Sequence, residues 1–175
     1  MRLSFPAIAL STRCTMHDTV PAGSNMPRHV VSFLCERNAA RSQMAEAFLR
    51  KHAGNRFEIH SAGLNPREIH PLTVRLMNEI GISLNGYRSK SVKEYLGKLS
   101  VRHVIFVCGL DEDSCPRVWP FTLKAIRWPF DDPAAEEGTE QQKLDKFRVV
   151  RDSIEEQVIQ WVTSEDLDSD DAALP

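Results

Sequence analysis

Short runs of β-branched and apolar residues alternate with segments of helical periodicity from residue 29 to residue 162. The predicted strands are residues 29–34, 56–60, 101–107 and 124–128. The predicted helices are residues 42–51, 71–80, 90–96 and 139–162. Strands that alternate with helices indicate parallel pairing through right-handed crossovers. We therefore predict an α/β fold of three layers, in which helices flank a central four-stranded parallel sheet.

The chain length of 175 residues predicts one domain, which we place at residues 28–163. Residues 1–27 lack periodicity and are interpreted as a disordered or mis-started N-terminal extension. Residues 164–175 read SEDLDSDDAALP, an acidic segment with few large apolar groups, which predicts a disordered tail.

The composition is that of a soluble globular protein, with 42% hydrophobic and 26% charged residues. A net charge of −2 argues against a nucleic-acid partner, and no apolar run reaches membrane-spanning length. The N-terminal residues lack the long apolar stretch of a secretory signal. We therefore expect a cytoplasmic protein. In that reducing compartment, cysteines are more often catalytic, redox-active or metal-binding than structural.

The segment CERNAARS joins the first predicted strand to the first predicted helix. Backbone N–H groups in such a tight loop point inward, and the helix dipole adds positive potential, so the loop suits an anion. Arg41 adds a planar fork that matches a tetrahedral oxyanion. The same field favours Cys35 as a thiolate nucleophile, and Ser42 can donate a hydrogen bond to its sulfur. The alternative interpretation is a buried cysteine that ends a strand and an arginine on a helix surface.

Cys108 and Cys115 are separated by the acidic segment GLDEDS. If the first and third strands are neighbours, Cys35 and Cys108 lie in one crevice, because ligand sites form at the carboxyl ends of parallel strands. Seven residues of straight helix span about 10.5 Å, too far for a disulfide, so Cys108 and Cys115 can bond only if the segment loops. The alternative is that Cys108 ends a buried strand and Cys115 is an incidental loop residue. Neither the spacing of this pair nor that of the histidines resembles a metal site.

The segment from Cys35 to Ser42 resembles the Cys-x5-Arg-Ser phosphate loop of the low-molecular-weight protein tyrosine phosphatase superfamily. The stretch RSQMAEAF is more similar to the arsenate reductases on that fold than to the phosphatases. The resemblance continues in SAGLNP, EIGI, YRSKSV, VCGLDEDSCP and WPFDDPA. It implies a low-molecular-weight phosphatase-like fold and an oxyanion-binding loop that comprises Glu36, Arg37, Asn38, Ala39, Ala40, Arg41 and Ser42.

The thioredoxin-coupled arsenate reductases have a similar cysteine pair at this place, which implies a thiol relay. Cys35 attacks arsenate, Cys108 then attacks Cys35 and releases arsenite, and Cys115 carries the disulfide onward. Thioredoxin, or a glutaredoxin or mycothiol system, is then the electron donor. We expect no tightly bound cofactor, no metal and a monomer.

The resemblance also assigns a general acid and a set of loop supports. Asp132, immediately before Pro133, corresponds to the acid that protonates the leaving oxygen; a plain turn residue is the alternative. Asn38, Glu46 and Ser61 match positions that hold potassium in some family members, but Lys90 stands at the acidic position of that site. We expect its ammonium to pair with Glu46 in place of the cation. A solvated surface lysine is the alternative.

Several residues depart from the family pattern. Glu36 places a carboxylate beside an anion loop, unless it faces solvent or pairs with Arg37. Ala39 lacks a hydroxyl found in many relatives, and Ala40 excludes a second cysteine within the loop. Two other functions therefore stay open, namely a phosphatase that uses Cys35, Arg41 and Asp132, and a non-catalytic oxyanion sensor. We interpret the other histidines as surface or edge residues, and the tryptophans as core or groove wall: His29, His52, His60, His70, His103, Trp119, Trp128 and Trp161.

Overall fold

The computed structural model describes residues 28–109 and 122–171, with side chains up to residue 165 in the second range. Residues 1–27, which include Cys14, lie outside the described residues, as do Cys115 and Trp119. The predictions made for them are therefore not addressed by the structure.

Four parallel strands form one sheet, as predicted. The strands are β1 (His29–Cys35), β2 (Phe57–Gly63), β3 (Val101–Phe106) and β4 (Thr122–Arg127), in the order β2-β1-β3-β4. The helices are α1 (Arg41–Ala53), α2 (Pro71–Glu79) and α3 (Glu140–Asp171). Pro71 occupies the first turn of α2. An N–H at this position would have no acceptor within the helix, so the N–H that proline lacks costs no hydrogen bond. Gly81 follows this helix with a φ of +75°.

The register of the sheet brings the ends of β1 and β3 together. Leu34 pairs with Phe106, and the N–H of Val107 donates to the carbonyl of Leu34 at 2.9 Å. Cys35 and Cys108 therefore leave the sheet at the same edge. The strand adjacency on which their predicted common crevice depends is confirmed.

The core lies between the sheet and the helices. Phe33 of β1 and Phe48 of α1 are completely buried. Trp128 and Trp161 are also buried, and their ring centroids are 6.2 Å apart, which confirms their assignment to the core. This packing holds β1 rigidly beneath the loop that follows it. No helix within the described part of the chain is long and apolar enough to cross a membrane.

The structure corrects three expectations. Helix α3 continues to Asp171, where we predicted a disordered tail from residue 164, and Glu165 reaches back toward the sheet to meet His103 and Lys124. The predicted helix at residues 90–96 is a single 3₁₀ turn over Val92–Glu94, since Ser91 and Glu94 form a capping box.

The third correction concerns the histidines. His103 is fully buried in β3 rather than at an edge, because β3 is an interior strand. His70 caps the N-terminus of α2 and lines a pocket, so it is not a simple surface residue.

Candidate active site

The loop between β1 and α1 turns its carbonyl groups outward. Neighbouring segments donate hydrogen bonds of 2.7–3.0 Å to these carbonyl oxygens. Three donors are backbone N–H groups: Asn65 to Glu36, Arg67 to Arg37 and His70 to Ala39. The fourth is the Ser89 hydroxyl, which donates to the carbonyl of Asn38. A peptide unit that directs its carbonyl one way directs the following N–H the other way. The loop N–H groups are therefore directed inward, toward the space above Cys35.

Helix α1 contributes its N-terminus to the same space. A helix leaves its first N–H groups without partners inside the helix. Ala40 at the N-cap offers no side-chain acceptor, and the first turn contains no acidic residue. These donors and the helix dipole suit a bound oxyanion.

Cys35 lies on the floor of this loop, only 3% exposed. Its Sγ lies 2.9 Å from Ser42 Oγ and accepts from the Asn38 N–H at 3.1 Å. The Asn38 side-chain amide donates to Ser42 Oγ at 2.8 Å, which turns the Ser42 hydroxyl proton toward the sulfur. Two donors on one sulfur stabilise its thiolate form. The serine contact that the sequence predicts is present.

Asn38 connects the thiol to the loop supports. Its φ is +50°, in the left-handed region, and its side chain is completely buried. The Asn38 amide also donates to Ser61 Oγ at 2.8 Å, and Ser61 in turn donates to Glu46. Directed hydrogen bonds therefore run from Asn38 to Cys35 through Ser42, and from Asn38 to Glu46 through Ser61.

Glu46 is paired with two cations, a buried lysine and an exposed arginine. Lys90 Nζ lies 2.9 Å from one carboxylate oxygen and Arg50 Nη2 lies 2.6 Å from the other. Glu46 is 1% exposed and Lys90 is 8% exposed, so this lysine is not a solvated surface residue. The structure brings together all four predicted loop supports.

Arg41 is also almost buried, at 4% exposure. Its guanidinium donates to the Phe130 carbonyl at 3.0 Å and lies 3.6 Å from the Asp132 carboxylate. The other oxygen of Asp132 accepts from the Ala134 N–H at 3.2 Å, at the start of a 3₁₀ turn. The predicted acid therefore faces the anion loop from the opposite wall, and its turn geometry serves that placement.

A pocket above the thiol is bounded by these groups. Its lining is Cys35, Arg37, Ala39, Ala40, Arg41, Arg67, Glu68, His70, Asp132 and Ala134. No phenylalanine, tyrosine or tryptophan belongs to the lining within the described ranges. Glu36 lies 3.8 Å from Arg37, so the carboxylate that departs from the family pattern has a cationic partner.

Three residues of the site were not predicted from the sequence, although each has a recognisable sequence signal; the first two are Gly63 and Gln43. A Cβ on Gly63 would lie 2.7 Å from the carbonyl oxygen of Glu36 and 2.8 Å from the N atom of Asn38. The segment SAG at the end of β2 therefore needs its glycine where the anion loop crosses it. Gln43, the third residue of α1, donates to Asn38 and is completely buried. A polar residue on the buried side of a helix is the signal for that role.

His70 is a third residue that sequence reasoning missed. Its Nδ1 accepts from the Leu72 N–H at 3.2 Å, so the neutral ring carries its proton on Nε2. Burial lowers the pKa of His70, while the nearby Asp132 carboxylate opposes that shift. The pair His-Pro at a helix start was the available signal, since a residue before such a proline occupies the N-cap.

Cys108 lies two residues past the end of β3 and is buried, 6% exposed. It takes part in a disulfide, and Cys35 is a free thiol, so the two are not bonded to each other. Cys115 lies outside the described residues. Within the described ranges, no group of three or more histidine, cysteine, aspartate or glutamate residues could hold a metal ion.

Known proteins resemble this chain in sequence and in structure. A model of the low molecular weight phosphotyrosine protein phosphatase family matches residues 30–173. An arsenate reductase of Halalkalibacterium halodurans is 39% identical over 130 residues, or 74% of this chain and 91% of that protein. One of Bacillus licheniformis is 38% identical over 134 residues, 76% of this chain and 94% of that protein.

Two solved structures extend the likeness. An arsenate reductase in the phosphate binding state superimposes with a TM-score of 0.63 at 29% identity, over 78% of this chain and 98% of that chain. A thioredoxin-dependent arsenate reductase of Corynebacterium glutamicum gives 0.61 at 25% identity, over 82% of this chain and 65% of that chain. This chain therefore belongs to the low-molecular-weight phosphotyrosine protein phosphatase family and, within it, to the arsenate reductases.

Proposed function

We propose that this chain reduces arsenate to arsenite through a relay of Cys35, Cys108 and Cys115, and that thioredoxin restores the thiols. One observation carries the proposal. Cys35 lies in an anion loop with two donors on its sulfur, while Cys108 follows the end of the neighbouring parallel strand by two residues. The arsenate reductases to which the chain is similar support the substrate, and the thioredoxin-dependent one supports the reductant.

The first step is a displacement at arsenic. The loop N–H groups and the Arg41 guanidinium bind the arsenate oxygens. The Cys35 thiolate attacks arsenic and forms an S–As bond, while the As–O bond to a hydroxyl group of hydrogen arsenate breaks and that hydroxyl takes a proton from Asp132 and leaves as water. Arsenic remains pentavalent in this adduct.

The second step transfers two electrons. The Cys108 thiolate attacks Sγ of Cys35 and forms a disulfide, and the S–As bond breaks with its electron pair on arsenic. Arsenic leaves as trivalent arsenite. Its two-electron reduction is balanced by the oxidation of the two cysteine thiolates to one disulfide. The parallel pairing of β1 with β3 supports this step, because it starts Cys35 and Cys108 from the same sheet edge.

The third step moves the disulfide away from the pocket. Cys115 attacks Cys108 and releases Cys35 as a thiolate, and a thioredoxin dithiol then reduces the Cys108–Cys115 bond. A disulfide on Cys108 beside a free Cys35 is the pattern expected at the end of this step. All three thiols belong to one chain, so we propose a monomer. Because thioredoxin systems keep thiols reduced in the cytoplasm, we propose that compartment.

A phosphatase would use Cys35, Arg41 and Asp132 in the same geometry and needs no second thiol. The pocket lining favours the reductase, because it offers no aromatic wall to a phosphotyrosine ring in the described ranges. The sensor alternative depended on an unpaired Glu36 carboxylate beside the anion loop. Because Glu36 pairs with Arg37, this carboxylate gives no reason to expect a loop that binds oxyanions without catalysis.

The decisive experiment is arsenate-dependent NADPH oxidation in the presence of thioredoxin and thioredoxin reductase. Wild-type protein should turn over continuously, and Cys35→Ser should be inactive. Cys115→Ser should release about one arsenite per chain and stop with a Cys35–Cys108 disulfide, visible by mass spectrometry without reductant. Cys14→Ser is the matched control, because Cys14 lies outside the residues that the family model matches.

Other outcomes separate the rival functions. Hydrolysis of p-nitrophenyl phosphate that is unaffected by Cys115→Ser, without arsenite release by the wild type, would establish a phosphatase. Oxyanion binding without either activity would establish a sensor. Continuous arsenate reduction by Cys115→Ser would overturn the three-thiol relay.

A further inference from the structure

Gln43 is a buried amide whose nitrogen faces three acceptors. Its Nε2 lies 2.9 Å from Asn38 Oδ1, 3.0 Å from Asn38 O and 3.0 Å from Arg88 O. Its Oε1 has no hydrogen-bond partner among the described residues. Exchanging the two amide atoms would set a carbonyl oxygen against three acceptors, so the chemistry of the surroundings determines the orientation.

Gln43 stabilises an energetically unfavourable backbone conformation of Asn38. Asn38 has a φ of +50°, and a residue with a side chain stays in the left-handed region only when its surroundings impose it. Gln43 reaches both carbonyl oxygens of Asn38, the backbone one and the side-chain one. Ser89 Oγ and Lys90 N–H donate to the same two oxygens, at 2.7 and 2.8 Å. The amide of Gln43 also ties the Arg88 carbonyl to this cluster.

The hydrogen bonds to the Cys35 thiol depend on the conformation of Asn38. In this conformation the Asn38 N–H donates to Cys35 Sγ, and the Asn38 amide orients the Ser42 hydroxyl toward that sulfur. Gln43 is not itself bonded to the sulfur in the structure. Its effect on Cys35 must therefore pass through Asn38.

We propose that Gln43 is a positioning residue for the nucleophile. Its amide holds Asn38 in the left-handed conformation that directs two hydrogen-bond donors onto the Cys35 thiolate. The proposal rests on the proposed function only in taking Cys35 as the nucleophile. Loss of the Gln43 amide weakens both donors and therefore destabilises the Cys35 thiolate relative to the thiol.

The test is the pH profile of Cys35 alkylation by iodoacetamide, followed by mass spectrometry of the Cys35 peptide. Gln43→Met keeps the length of the side chain and removes the amide. It also removes the buried, unpartnered Oε1, and this gain offsets part of the folding stability lost with the Gln43 hydrogen bonds. We expect alkylation about tenfold slower at pH 6.5, with the difference between the two proteins becoming smaller as the pH rises, because stabilisation of the thiolate by hydrogen bonds then matters less to the rate. Ser42→Ala should move the profile in the same direction.

Gln160→Met makes the same change on the exposed surface of α3 and should leave the profile unchanged. If Gln43→Met does not fold, Gln43→Asn carries the test, because it keeps the amide but withdraws it from Asn38. A folded variant with lower thermal stability and a wild-type profile would overturn the proposal, since that is the result of a purely structural role. The measurement uses no arsenate, so its outcome is independent of whether the wild type reduces arsenate.

Discussion

Lys90 Nζ lies 2.9 Å from Oε2 of Glu46, and both side chains are buried. Ser61 donates to the same carboxylate and accepts from the amide of Asn38. A lysine ammonium thus supplies positive charge at the far end of the hydrogen-bond chain that begins at the thiol. The cation is covalently attached and needs no ion from solution.

We predict from this pair that arsenate reduction is independent of potassium. Rates in potassium chloride and sodium chloride at equal ionic strength should agree. Lys90→Met leaves Glu46 with the exposed Arg50 and the Ser61 hydroxyl, and should lower kcat/KM by about tenfold, because a buried carboxylate loses its buried cationic partner. Lys93→Met, a lysine of the exposed surface, is the control. Strong activation of the wild type by potassium would contradict the prediction.

Asp132 and Asp131 form a matched pair for testing the general acid. Asp132→Asn should slow arsenite formation by about 10²–10⁴-fold with little change in oxyanion affinity, because the proton donor is lost while the loop is intact. Asp131→Asn should have little effect. Lys146 bonds Asp131 at 2.6 Å and holds the pKa of that exposed carboxyl below its ordinary value. Single-turnover arsenite release measures both variants; equal losses would contradict the assignment.

Gly63→Ala should destabilise the protein and weaken oxyanion binding together. The added Cβ would lie 2.7–2.9 Å from backbone atoms of Glu36, Arg37 and Asn38, which cannot rotate away as a side chain could. We expect a loss of about 1–3 kcal/mol in the free energy of unfolding, measured in urea, and weaker arsenate binding by calorimetry. Gly86→Ala is the comparison: this glycine has open space around it but a φ of +82°, so an alanine there costs backbone strain without a clash and should lower stability while arsenate binding is unchanged. Normal binding by Gly63→Ala would show that the loop tolerates the displacement.

The buried His103 predicts that stability declines on the acid side of neutrality. Burial lowers the pKa of His103, and the Glu165 carboxylate, 3.4 Å from Nε2, opposes the shift. Below the ordinary histidine pKa of about 6.5 the unfolded chain takes up a proton and the folded chain does not, so the free energy of unfolding falls. The contribution is complete above that pH and declines by at most about 1.4 kcal/mol per pH unit.

Urea denaturation between pH 5 and 8 checks this slope. His103→Leu should flatten the decline; the residual slope includes His70, whose pKa burial also lowers. The other charged groups that act on His103 are Lys124, Arg102 and His29, and they favour its neutral form. An unchanged slope in His103→Leu would assign the pH dependence to other groups.

The confirmed predictions concern features that neighbouring residues specify. Strand and helix periodicity lies within short windows, and the parallel order of the sheet follows from the alternation of the two. The sequence from Cys35 to Ser42 is continuous, so a loop rich in donors before a helix could be recognised without a fold. Helix α3 shows the limit of this local information. Its composition after residue 163 favours disorder, but Glu165 meets partners on β3 and β4.

The local sequence by itself determined that a thiol ends a strand beneath an oxyanion-binding loop, and that a second thiol follows a later strand. Only the tertiary structure decided which residues stabilise the anion-binding conformation of that loop. Asn38 meets Ser61, Ser89 and Lys90, and Gly63 meets the loop backbone, across long separations in sequence. The physical reason is that such contacts form only after β2 has paired with β1 and residues 89–91 have packed beside Gly63, and local sequence patterns do not specify that pairing.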